Sequence, residues 1–228
     1  MKNSVAKMLR TPRFRQLVIK NKKLYNRKKI KKKVIINKQI QFIHIPRTGG
    51  RYLNYVLTQN NHYYIHDDYS RKFKGIEIPH LSYPENLNFH YHSFSKRFTI
   101  VRNPVDRFIS MLRDFNPINE EKIDSIFKNQ DSFYEFVNNA RVVNLSNWFL
   151  PQINFIDHKT KLWKFEDKLE NNFFKWLLDN FNLKIIDKDY ESVKFKIKSI
   201  HMNKFVLNEK QKQYIKNYYY QDYKILDY

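Results

Sequence analysis

The chain predicts an α/β fold in which a central parallel β-sheet is flanked by helices. Two observations carry this. Short apolar segments at residues 41–45 and 98–101 each pass through a turn into a segment with helical spacing, the repeated order from which parallel sheets are built. The 228 residues are 42% hydrophobic and 17% aromatic, enough to fill the core of one domain and too apolar for a disordered basic chain.

The first unit opens with Phe42, Ile43 and Ile45, which form a buried strand with His44 inside it. Pro46 ends the strand. Two of the three glycines in the protein follow together as Gly49 and Gly50, and Leu53, Val56 and Leu57 then recur at helical spacing. A strand feeding a glycine turn that opens a helix can cradle a phosphate. Backbone N–H groups converge there, the helix dipole adds positive charge, and glycine lets an oxyanion approach closely. Arg47 and Arg51 bracket the turn and Thr48 adds a hydroxyl. An ordinary strand-to-helix turn is the alternative. The loop is not the ATPase type, which spaces its glycines apart and follows them with Lys and Ser/Thr to hold magnesium.

The second unit begins with Phe98, Ile100 and Val101. Asn103 is suited to cap a helix, Pro104 to occupy its first position, and Asp106 to complete a capping box. Val105, Phe108, Ile109 and Leu112 make the core face. Arg102 stands at the carboxyl end of the strand, where open α/β sheets place ligand contacts. Ser110 follows two turns into the helix, and an Arg and a Ser so placed can hold a phosphate.

Further helices are expected around Phe133, Phe136, Val137 and Ala140, around Leu169, Phe173, Trp176, Leu177 and Phe181, and from an Asn208–Gln211 cap through Tyr218. His90 and His92 lie in a loop-like stretch before the second strand. At alternate positions of an extended chain, both would face one site.

The charge is uneven. Of 43 Lys and Arg, 15 fall in residues 1–38, which contain no acid; the rest of the chain has 28 against 22 Asp and Glu. We divide the chain into a basic N-terminal segment, 1–38, and a body, 39–228. The segment suits a solvated arm, an amphipathic helix on an anionic membrane, or a polyanion tether. The absence of cysteine excludes disulfides, zinc-thiolate and iron–sulfur sites and a Cys nucleophile. No apolar run exceeds three residues, so no membrane-spanning segment is expected.

Taken together, Ile45 to Arg51 and Thr99 to Ser110 resemble the two nucleotide loops of the carbohydrate sulfotransferases, especially the heparan sulfate 2-O-sulfotransferase type. Pro151-Gln152, Lys164 to Asp167 and the Tyr/Asp pattern of Tyr218 to Tyr228 extend the likeness over residues 39–228. The resemblance implies a P-loop-like three-layer fold and transfer of a sulfuryl group from 3′-phosphoadenosine 5′-phosphosulfate (PAPS) to an acceptor hydroxyl on a saccharide or other molecule, without metal. It assigns Arg47 to charge on the leaving phosphate, and Thr48, Gly49, Gly50, Arg51 and Tyr52 to the 5′ end. Arg102 and Ser110 fall to the 3′-phosphate, with Lys204 as a further contact. The general base falls to His92, supported by His90; His44, His62, His66, His80 or a carboxylate are the alternatives. Arg47 replaces the family's usual Lys, and Arg51 its usual Thr or Ser. Specific nucleic-acid recognition is not expected, and the implied location is bacterial or viral cytoplasm rather than the Golgi. The competing functions are an ATP-using kinase and a non-catalytic polyanion- or membrane-binding protein.

Overall fold

The computed structural model describes residues 40–60, 62, 72–73, 75–85, 96–114, 120–142, 147–186 and 205–228. His90, His92, His66, Lys204 and the basic segment 1–38 lie outside these residues. In chain order, strand β1 (Ile40–Ile43) leads to helix α1 (Gly50–Gln59), then to a hairpin of β2 (Lys72–Phe73) and β3 (Ile76–Glu77). A 3₁₀ turn, Ile78–His80, follows, then β4 (Lys96–Val101) and helices α2 (Pro104–Asp114), α3 (Glu120–Ile126) and α4 (Gln130–Val142). Strand β5 (Thr160–Lys164) precedes α5 (Asn171–Phe181), and α6 (Glu209–Tyr218) and α7 (Tyr220–Leu226) close the chain.

Among the described residues the expected parallel sheet is present, with three strands in the order β1-β4-β5 and both pairings parallel. Phe42 stands opposite Phe98, and Thr99 opposite Leu162. Because all three strands run the same way, the loops that leave them emerge at one edge. That edge therefore collects residues 44–49, 102–103 and 165–167 from distant parts of the sequence.

Side-chain alternation sends successive residues to opposite faces of the sheet. Ile40, Phe42, Phe98 and Ile100 pack with Leu53 and Leu57 of α1 and with Phe173 and Leu177 of α5. Ile43 and Val101 pack instead with Leu150, Phe155 and Leu226. Phe108 of α2 anchors a third cluster, with its ring centroid 5.4 Å from those of Phe133 and Phe149. Each such side chain withdrawn from water stabilises the fold by about 1.5–3 kcal/mol, so the helices are fixed chiefly by their apolar faces.

The helix starts differ in one respect from the expected pattern. Asn208 and Gln211 form the full capping box at α6, each side chain bonded to the other's backbone N–H at 2.9 Å. At α2, Asn103 accepts from the N–H groups of Val105 and Asp106. The reciprocal bond to the Asn103 N–H comes from Glu166 at 2.7 Å, not from Asp106. The parallel pairing of β4 and β5 brings the loop after β5 to this helix start, while Asp106 is left exposed. Among the described residues, no helix is long and apolar enough to cross a membrane.

Candidate active site

At the carboxyl edge of the sheet is a cavity of about 550 Å³. Arg47, Gly49, Gly50, Arg51 and Tyr52 line it from the first loop and the start of α1, and Arg102 and Ser110 from the second unit. These seven residues, all expected at the nucleotide, therefore share one space with the candidate bases His44 and His80, although Arg47 and Ser110 are 63 positions apart.

The two loops are bonded to each other. Arg47 Nε donates to Ser110 Oγ at 3.1 Å, and Arg102 Nη1 donates to the Arg47 carbonyl at 3.2 Å. Arg47 adopts φ 68°, a left-handed conformation that costs a non-glycine residue roughly 1–2 kcal/mol. The two interlocking bonds hold it there. The guanidinium of Arg102 also lies 4.6 Å from the centroid of the Phe165 ring, in cation–π geometry. Burial lowers the Arg102 pKa from its ordinary value, against the opposing pull of Asp106 and Glu166.

The glycines have a different structural reason from close anion approach alone. A Cβ on Gly50 would fall 2.0 Å from Cδ2 of His44. A Cβ on Gly49, whose φ is +91°, would meet Leu169 at 2.9 Å and Phe165 at 3.0 Å. At Gly50 the His44 ring occupies the place of a Cβ, and at Gly49 the left-handed φ favours glycine beside the Leu169 and Phe165 side chains. Thr48 is likewise turned inward: it is fully buried, and its hydroxyl donates to the Ile45 carbonyl at 2.9 Å. That bond braces the turn, and Thr48 is not among the residues lining the cavity. His44, expected inside the first strand, lies just beyond β1, where Thr99 Oγ1 donates to the Ile43 carbonyl at 2.6 Å.

A second set of lining residues is Glu77, His80, Trp148 and Phe165; in the sequence His80 stood only among the alternative bases and Phe165 only within the Lys164–Asp167 likeness, while Glu77 and Trp148 carried no signal. His80 Nδ1 and Glu77 Oε2 are 2.7 Å apart. The His44 and His80 rings meet edge to face with centroids 5.0 Å apart, and Trp148 packs on His80 at 5.8 Å. The hydrogen bond from His80 holds the Glu77 carboxyl below its ordinary pKa, with burial opposing and the Trp148 indole assisting. His62, another candidate base, is not a lining residue and contacts the Lys184 carbonyl.

Two buried groups outside the cavity hold its walls. Arg107, 1% exposed, donates to the carbonyls of Pro46, Leu150 and Trp148 at 3.0, 3.0 and 2.8 Å. It joins the first loop to the segment carrying Trp148, and burial lowers its pKa. Asp222 of α7 accepts from the N–H groups of Gln152 and Ile153, while the Gln152 side chain bonds the backbone of Arg102. Burial raises the Asp222 pKa against those two N–H donors. In the sequence Arg107 was one residue of the Thr99–Ser110 stretch and was not singled out; the three carbonyls it joins come from two remote loops.

Chemically, the cavity combines three guanidinium groups, a hydroxyl and the N-terminus of a ten-residue helix with a histidine–carboxylate pair. The first group suits clustered phosphate or sulfate oxygens, since guanidinium pairs with them in a bidentate manner. No protein-family model, curated protein or solved structure matches the chain.

Proposed function

We propose that the protein is a sulfotransferase that moves a sulfuryl group from PAPS to an acceptor hydroxyl, with a saccharide as the favoured acceptor, on a P-loop-like three-layer frame. The observation that carries this is the meeting of Arg47, Arg102 and Ser110 with the Gly49–Gly50 turn around one cavity. A donor with phosphate at both the 3′ and 5′ positions needs two separate anion sites. In this assignment Arg47, Arg51 and the helix start meet the 5′ group and Arg102 with Ser110 the 3′-phosphate, the two sets adjoining at the Arg47–Ser110 bond.

On this reading, Arg47 faces the charge that develops on the leaving 5′-phosphate, and preorganised cations of this kind lower the barrier without further rearrangement. Its Ser110 and Arg102 contacts supply the preorganisation. Tyr52 and Phe165 give the cavity apolar surface against which a nucleoside can rest.

The test is calorimetry with 3′,5′-bisphosphoadenosine (PAP), the desulfated donor, against ATP with magnesium. Binding of PAP in preference to ATP, with a loss of about 100-fold or more in Arg102→Ala, is the expected result; loss of a charge-assisted contact to a charged ligand has this scale. Preference for ATP with magnesium would overturn the proposal in favour of a kinase. Binding of neither nucleotide would leave a polyanion-binding protein.

A further inference from the structure

We propose that His80, oriented by Glu77, is the general base that takes the proton from the acceptor hydroxyl; this rests on the sulfuryl-transfer reading above. Both residues line the same cavity as Arg47, Arg102 and Ser110. A base must share a space with the group it deprotonates, and the Glu77–His80 pair satisfies this directly.

The pair is built as a fixed element. Glu77 ends β3 and His80 closes the 3₁₀ turn that follows, so the three-residue separation sets their 2.7 Å contact locally. The backbone of His80 is anchored from another part of the chain, where Asn147 Nδ2 donates to its carbonyl at 2.8 Å. The rings of His44 and Trp148 pack against its imidazole. His44 in turn lies against Gly50, so the imidazole and the phosphate turn are in register through a single intervening ring.

The chemistry follows from the tautomer. With the proton on Nδ1, an ionised Glu77 accepts the hydrogen bond from Nδ1–H, and Nε2 is then the basic nitrogen of the ring. A carboxylate placed so also stabilises the imidazolium that results, as in the hydrolase triads. In the step, the acceptor oxygen forms a bond to sulfur and its proton passes to His80. The bond from sulfur to the bridging oxygen breaks, and its electron pair stays on the 5′-phosphate of the departing PAP.

The experiment pairs two measurements on the full chain: calorimetric PAP affinity and PAPS consumption with simple hexoses as hydroxyl acceptors. His80→Gln is expected to retain PAP affinity within about 3-fold while PAPS consumption falls by about 100-fold or more, the usual scale of general-base catalysis. Glu77→Gln keeps an acceptor for Nδ1–H but removes the charge, and is expected to lose about 10-fold or more in turnover. It serves if His80→Gln fails to fold. Wild-type turnover retained in the substituted protein would overturn the assignment of the base while leaving the sulfotransferase reading intact. Wild-type protein that binds PAP but consumes no PAPS would also overturn it. Failure of the wild type to bind PAP would instead overturn the sulfotransferase reading itself.

Discussion

The Gln152 side chain and the backbone of Arg102 are paired in both directions. The Arg102 N–H donates to Gln152 Oε1 at 2.9 Å, and Gln152 Nε2 donates to the Arg102 carbonyl at 2.7 Å. Arg102 follows the last residue of β4, where the sheet ladder no longer supplies partners. Gln152 takes the place of a further strand residue, and Asp222 fixes Gln152 from α7. The orientation of the cavity arginine is thus determined by a residue 50 positions later in the chain and, behind it, by the last helix.

Gln152→Leu keeps the volume but leaves both Arg102 backbone groups without this partner. Each unsatisfied buried group costs about 1–3 kcal/mol, so the variant is expected to unfold at a lower urea concentration. Its PAP affinity is expected to fall with Arg102 misplaced. Unchanged urea midpoint and PAP affinity would show that water replaces the amide without loss.

Gly50→Ala places a methyl group where the His44 ring already lies. Overpacking of this kind costs about 1–3 kcal/mol. The ring must shift, and because it packs on His80, the displacement reaches both sides of the cavity. Thermal unfolding and PAP titration of the variant are expected to show losses in both stability and binding.

Arg107→Met removes the donors to three carbonyls at once, with an expected loss of about 3 kcal/mol or more in urea unfolding. Arg107→Lys is expected to rescue little, because a point charge on a flexible stem cannot reproduce the planar fork that spans Pro46, Leu150 and Trp148. Full rescue by lysine would mean that charge, rather than fork geometry, holds the loops.

The Arg97–Asp157 pair sets a pH dependence. Burial resists ionisation of Asp157, but the Thr160 hydrogen bond, the Arg97 charge and the Lys159 N–H outweigh it and hold the carboxyl below its ordinary value. A carboxylate with a depressed folded-state pKa contributes stability that is fully present above the unfolded value of about 3.9. That contribution is lost as pH falls through the lower, folded value. Urea unfolding between about pH 2 and 6 is expected to show this acid limb in the wild type and a flatter one in Asp157→Asn.

Two strands of the sheet, the two strand–loop–helix units they open and the caps at Asn103 and Asn208 were legible in the sequence because each depends on local periodicity or on residues within one turn; β5 was not read from periodicity. Local chemistry also marked Arg47, Arg51, Arg102 and Ser110, and the family resemblance Tyr52; all of them line the cavity. Glu77, His80 and Trp148 were not legible as a group, since nothing in their spacing ties a short hairpin to a segment near residue 148. Thr48 is the converse case. Its position in the loop suggested a ligand contact, yet the buried turn uses its hydroxyl internally.

By itself, the sequence determined the α/β order, the glycine turn between strand and helix and the residue types offered at two strand ends, because helical and strand periods are properties of neighbouring residues. Only the tertiary structure decided that these ends meet, that Arg47 is locked to Ser110 and Arg102, and that a histidine–carboxylate pair joins them. The physical reason is that parallel pairing aligns the carboxyl ends of strands separated by dozens of residues. Buried groups such as Gln152, Arg107 and Asp222 must then find partners across that distance, and the partners they find fix the shape of the cavity.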